Sequence, residues 1–162
     1  MDPYDPRAVR AVWERVRQCH EQLLSSMIAG ELQDLEFYRR MAKQAGPMSK
    51  QLLSIAAEEE THLRQLRELY SKLYGKTAPE EPPVGKRYKT LRQALEAQKE
   101  KELLNAQSYE KAANHFSENA ELFRTLSEDE KAHSALLSSL LDRSRSSGAR
   151  PIPSQGRTPK KP

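Results

Sequence analysis

An all-α fold, in which two helical hairpins joined by a long crossover form one four-helix bundle, is predicted by three features of this sequence. Helix formers (Ala, Leu, Glu, Gln, Lys and Arg) dominate, aromatic residues make up only 6%, and β-branched residues are scarce. Apolar residues recur at helical spacing in four segments bounded by Gly and Pro. A constellation of four residues also occurs twice at an offset of 71: Glu31, Tyr38, Glu59 and His62 return as Glu102, Tyr109, Glu130 and His133. At 162 residues the chain can bury a sizeable core but is too short for two domains, so one domain is expected over 1–142 with a tail over 143–162.

The first helix should open at Asp5-Pro6, a capping residue followed by proline at the first helical position. Its apolar stripe (Val9, Val12, Val16, Leu23, Met27) leads towards Glu31 and Tyr38 and stops near Gly46-Pro47. The spacing is compatible with one long helix or with an extra N-terminal helical segment feeding a core helix. Pro47 should open the second helix, whose stripe is Met48, Leu52, Ile55, Glu59, His62, Leu66 and Leu69, ending near Gly75. Residues 75–89 carry Pro79, Pro82 and Pro83, and at about 3.3 Å per residue they can span a bundle end to end. The third helix carries Leu91, Leu95, Glu102, Ala106, Tyr109 and Ala113; the fourth carries Leu122, Leu126, Glu130, His133, Leu137 and Leu140.

Each Glu-to-His pair (Glu59 with His62, Glu130 with His133) has i, i+3 spacing, so one helix face offers a carboxylate and an imidazole one turn apart. Glu31 and Glu102 add a carboxylate each from the preceding helix. All six lie on apolar stripes. Four carboxylates in a bundle core would cost several kcal/mol per uncompensated charge, and the sequence supplies no inward-facing Lys or Arg to pair with them. Two divalent cations would nearly cancel the charge, and four carboxylates with two imidazoles suit two iron or two manganese ions, or a mixed pair.

The doubled pattern of Glu, six residues, Tyr, then Glu-x-x-His resembles the ferritin-like superfamily, and the stretches ELQDLEFYRRMAKQA and AAEEETHLRQLRELY are most similar to rubrerythrin-like proteins. The resemblance covers about residues 20–142. It implies a di-iron site at the centre of the bundle, with Glu59 and Glu130 bridging the metals, Glu31 and Glu102 each binding one terminally, and His62 and His133 capping one each. Tyr38 and Tyr109 would hydrogen-bond ligand carboxylates of the opposite half. Rubrerythrins typically carry a further glutamate one turn after the third-helix ligand. Here that position is Asn105, which leaves a symmetric set of four Glu and two His. The 28-residue spacing between helix ligands is shorter than usual for the family, implying trimmed hairpins.

The expected function is therefore a redox enzyme that reduces peroxide or oxidises Fe²⁺ with O₂ or H₂O₂. The alternative is an iron-binding or sequestration protein without significant turnover. A di-iron oxygenase would need an apolar substrate pocket, which nothing in the sequence identifies. With a single cysteine, Cys19, the chain cannot build a Cys₄ rubredoxin site, so turnover would need an external electron donor. The sequence has no apolar run long enough to span a membrane and no signal-peptide pattern, so a cytoplasmic protein with no membrane or nucleic-acid partner is expected.

The N-terminal segment with Trp13 is a candidate homodimer interface. Up to Asp142 the chain carries 21 basic and 23 acidic residues, whereas the remainder has six basic, no acidic and four Pro, so the basic pI of about 9.2 belongs to the tail. That tail is expected to be disordered and solubilising, with docking to an anionic or shell partner as its other reading. His20 and His115 are expected to be structural or exposed.

Overall fold

The computed structural model of the chain describes residues 5–147, which form four α-helices: α1 (Pro6–Ala42), α2 (Ser49–Tyr74), α3 (Leu91–His115) and α4 (Ala120–Ser147). The described residues contain no strand. α1 starts as its sequence requires: the Asp5 carboxylate accepts from the Arg7 amide at 2.9 Å, with Pro6 behind it. It then runs unbroken for 37 residues, so the extra N-terminal segment and the first core helix are one helix. A 3₁₀ turn at Gly46–Met48 contains Pro47 and hands the chain to α2. α2 ends on Gly75, whose φ of 69° is the left-handed conformation that favours glycine at a helix C-terminus.

Residues 75–90 form no helix and carry the chain back along the bundle. α3 restarts on Thr90, whose hydroxyl accepts from the Gln93 amide at 3.1 Å while the Gln93 side chain accepts from the Lys89 amide. The helices pair closely within two hairpins, α1 with α2 and α3 with α4. Across the hairpins, α1 meets α3 and α2 meets α4. Tyr38 reaches Glu102 while Glu31 receives Tyr109, and His62 reaches Asp129 while His133 reaches Glu58. Both cross-pairs are therefore antiparallel, and a pseudo-two-fold axis relates the halves. Fully buried Leu24, Leu52, Leu66, Leu95, Leu126 and Leu137, with Tyr70 and Phe123, fill the core. Each such side chain contributes about 1.5–3 kcal/mol of hydrophobic stabilisation.

The start of the α1 stripe departs from expectation. Val9, Val12 and Val16 are 41%, 53% and 39% exposed, and neighbouring Trp13 is 68% exposed. The reason is length: at about 1.5 Å per residue α1 outruns its 26-residue partner α2, and its first turns have no helix beside them. His20 and His115 meet edge to face at 5.4 Å beside Phe116, a structural contact. At the other end, α4 continues past Asp142 to Ser147. Residues 148–162, and with them most of the expected tail, lie outside the described residues. Among the described residues no helix is long and apolar enough to cross a membrane.

Candidate metal centre

Midway along the bundle the structure brings together all six residues singled out by the repeat. Glu31, Glu59, His62 and Glu130 place one donor atom each within 4.8 Å of one another, and so do Glu59, Glu102, Glu130 and His133. Glu59 and Glu130 belong to both groups. All six residues are at most 2% exposed, because the helical period that buries Ile55, Leu66, Leu126 and Leu137 carries the acids and imidazoles inward with them. None of the four glutamates pairs with a Lys or Arg among the described residues; their charged neighbours are the two histidines.

The donor spacing fits a metal better than it fits a hydrogen-bonded network. Nδ1 of His62 lies 3.5, 3.3 and 3.4 Å from oxygens of Glu31, Glu59 and Glu130, three acceptors around an atom with at most one proton to give. Two donors about 2.1 Å from a common ion, at roughly 90–109° to each other, lie about 3.0–3.4 Å apart, which is this spacing. Nδ1 of His133 lies 3.1 Å from Glu59 and 3.9 Å from Glu130, without hydrogen-bond geometry to either. Buried oxygens of Glu31, Glu59 and Glu130 likewise have no hydrogen-bond partner. Such orphaned atoms, each costly to bury, converge where cations would satisfy them. The residues present therefore fit a pair of metal ions.

Tyr38 donates to Glu102 and Tyr109 donates to Glu31, so each hydroxyl fixes a carboxylate of the opposite half. The structure adds residues that the sequence reading had passed over. Nε2 of His62 meets Asp129 at 3.1 Å and Nε2 of His133 meets Glu58 at 2.8 Å, which turns both Nδ1 atoms towards the centre and orients the rings. Asp129 and Glu58 precede the two bridging candidates, at the same offset of 71 as the rest of the repeat. Asp34 is a fifth buried carboxylate, 1% exposed, held by Gln98 at 2.6 Å, Asn105 at 3.0 Å and the Lys101 ammonium.

Electrostatics divide the cluster. Burial raises the Glu31 and Glu102 carboxyls well above the ordinary carboxylate range, and neighbouring acids raise them further. Burial also opposes charge on Glu59 and Glu130, but the two imidazoles beside them, with Glu31 next to Glu59 and Glu102 next to Glu130, outweigh it and lower both. For His133, burial disfavours the cation, yet Glu130, Glu59 and Glu58 raise its pKa to about 10; His62 is raised too, by Glu130, Glu31 and Glu59. In the metal-free protein the surrounding carboxylates thus favour the cationic form of both imidazoles. A metal ion at Nδ1 must displace that proton. Titration with Mn²⁺ at pH 7 should therefore release a proton from each histidine, and more from whichever raised glutamates hold one. Calorimetry in buffers of different ionisation enthalpy measures this number, and a value near zero would contradict it.

A buried cluster of four carboxylates and two imidazoles, at the middle of a four-helix bundle with one long crossover, defines a ferritin-like protein with a candidate metal centre. The rubrerythrin family model matches residues 22–141, and the chain belongs to the rubrerythrin family. Among solved structures, a hypothetical protein from Pyrococcus furiosus is similar, with a TM-score of 0.67 and 25% identity over 76% of this chain and 88% of that one. No protein of curated function matches the chain.

Proposed function

We propose that this protein is a non-haem di-iron redox protein that reduces peroxide or oxidises Fe²⁺. The observation that carries the reading is the overlap of two four-donor sets on Glu59 and Glu130, which suits two ions held side by side. Glu31 with His62 would complete one position and Glu102 with His133 the other. A bound ferrous pair supplies one electron per ion, the two electrons that, with two protons, convert H₂O₂ to two waters.

The protein side of this chemistry is positioning and proton supply. Glu58 and Asp129, half-exposed, hold the imidazole Nε2–H groups and connect the buried rings to solvent. Tyr38 and Tyr109, buried and kept neutral by burial and the adjacent carboxylates, hold the terminal glutamates in place. Iron suits the carboxylate and imidazole donors, with manganese or a mixed pair as the variants. Repeated turnover would draw electrons from an external donor, and a cytoplasmic setting fits this chemistry.

Anaerobic loading with Fe²⁺ followed by stopped-flow mixing with H₂O₂ and with O₂ tests the proposal. Rapid oxidation by peroxide with slow oxidation by O₂ is expected of a peroxidase, and rapid oxidation by O₂ with excess Fe²⁺ consumed is expected of a ferroxidase. Stable Fe²⁺ binding with neither oxidation would leave sequestration as the function.

A further inference from the structure

The pseudo-two-fold axis passes between Asp34 and Asn105, which occupy the same place in the two halves of the repeat and hydrogen-bond to each other at 3.0 Å. Strict symmetry would set two identical residues face to face there, and two aspartates would repel. An amide on one side resolves the conflict and breaks the symmetry of the whole site. The break extends over the two preceding turns of each helix: Gln98 occupies the place that Met27 fills in the other half, and Lys101 the place of Gly30.

As a result the two terminal glutamates, otherwise equivalent, are held differently. Glu102 accepts from Tyr38 and from Gln98 (2.8 Å) on Oε1, and from Asn105 (3.4 Å) on Oε2. Gln98 and Asn105 are themselves anchored on Asp34, which the Lys101 ammonium neutralises. Glu31 accepts from Tyr109 alone, and its Oε2 has no hydrogen-bond partner. Met27 cannot donate a hydrogen bond and Gly30 has no side chain, so nothing in that half takes the place of the amides.

We propose that the centre is asymmetric by construction: the Glu102–His133 position is the tighter one and fills first, and the Glu31–His62 position fills second and exchanges its ion. Gln98 is the positioning residue that sets the difference. A carboxylate already fixed by several donors loses little rotamer freedom when an ion arrives, whereas Glu31 must be immobilised at that moment. Hydrogen bonds also draw electron density from the carboxylate, but hydrogen bonds that orient a ligand typically strengthen metal binding, by about ten- to a hundredfold. This inference rests on the two-ion reading above.

The test is a Co²⁺ titration followed by visible absorption, without turnover. The wild-type chain should bind two ions in two steps whose affinities differ by about tenfold or more. His62→Ala should keep the tight step and His133→Ala should lose it. Gln98→Met, which copies the residue in the other half at nearly constant volume, should weaken the first step by about ten- to a hundredfold and leave the stoichiometry at two. Met27→Gln supplies the missing donor one turn before Glu31 and should tighten the second step, a gain that a misfolded variant could not show. Two equal steps in the wild type, or a tight step that survives His133→Ala and not His62→Ala, would overturn the asymmetry while the two-ion reading stood. Absence of Co²⁺ binding would instead overturn the two-ion reading itself.

Discussion

Glu59→Ala and Glu130→Ala should each abolish binding of both metal ions, whereas Glu31→Ala should weaken or remove only one. The asymmetry of outcome follows from geometry: Glu59 and Glu130 each belong to both donor sets, and Glu31 to one. Without Glu59 each position falls from four donors to three, two carboxylates and an imidazole, and only one of the two shared glutamates that let two cations sit side by side remains. Fold loss is not the expected cause, because each substitution removes a buried charge from a crowded cluster and leaves the surrounding leucines in place. Metal content per folded chain, measured by elemental analysis after gel filtration, checks this. Two ions retained by either variant would sink the bridging assignment.

The second large effect concerns stability. Ions that bind only the folded state stabilise it by mass action, by roughly 2.7 kcal/mol per site at free metal a hundredfold above the dissociation constant. Two sites then give about 5 kcal/mol, or a rise in melting temperature on the order of 15 °C for a domain of this size.

The pH dependence of the metal-free form follows from the direction of each shift. Glu31, Glu102, His62 and His133 all have raised pKa values in the folded state. Their contribution to stability is complete below the unfolded values, 4.5 for Glu and 6.5 for His, and is lost as pH rises through the folded ones, about 10 for His133. Glu59 and Glu130 have lowered values, so their contribution is present above 4.5 and is lost as pH falls through the folded values. The metal-free protein should therefore melt higher near pH 5.5 than near pH 8. The metal-loaded form should show the opposite trend, because protons compete for its ligands at the lower pH. Thermal melts of both forms across this range should show a gap that narrows on acidification. Coincident melting temperatures at pH 8 would mean that metal is not coupled to folding.

Much of this site was legible in the sequence because a repeat turns a weak signal into a strong one. One Glu-x-x-His on a glutamate-rich helix is unremarkable, but the same spacing on two helices, each preceded by a Glu and a Tyr at the same distances, constrains four helices at once. The pairing of Tyr38 with Glu102 and of Tyr109 with Glu31 follows the same symmetry. Glu58 and Asp129 were overlooked although they lie inside the repeat, because each sits beside a ligand on a helix rich in acids and looks like part of the solvated face.

Asp34 was hidden for a different reason. Nothing local marks it as buried, since its partners Gln98, Lys101 and Asn105 are 64, 67 and 71 residues away on another helix. The exposed start of α1 was misread because the apolar stripe of Val9, Val12 and Val16 says which face would be buried and not whether a neighbour is long enough to cover it.

The division of the donors between the hairpins has a consequence for the life of the chain. Each hairpin owns three donors of one position and lends its shared glutamate to the other. A chain still emerging from the ribosome, or one that has come apart between α2 and α3, therefore offers neither ion a full set. Iron held by an incomplete set beside water and oxygen is a source of damaging radicals. With iron in the centre as proposed, the two halves would have to meet before the ion is enclosed, and a chain that came apart between them would release it.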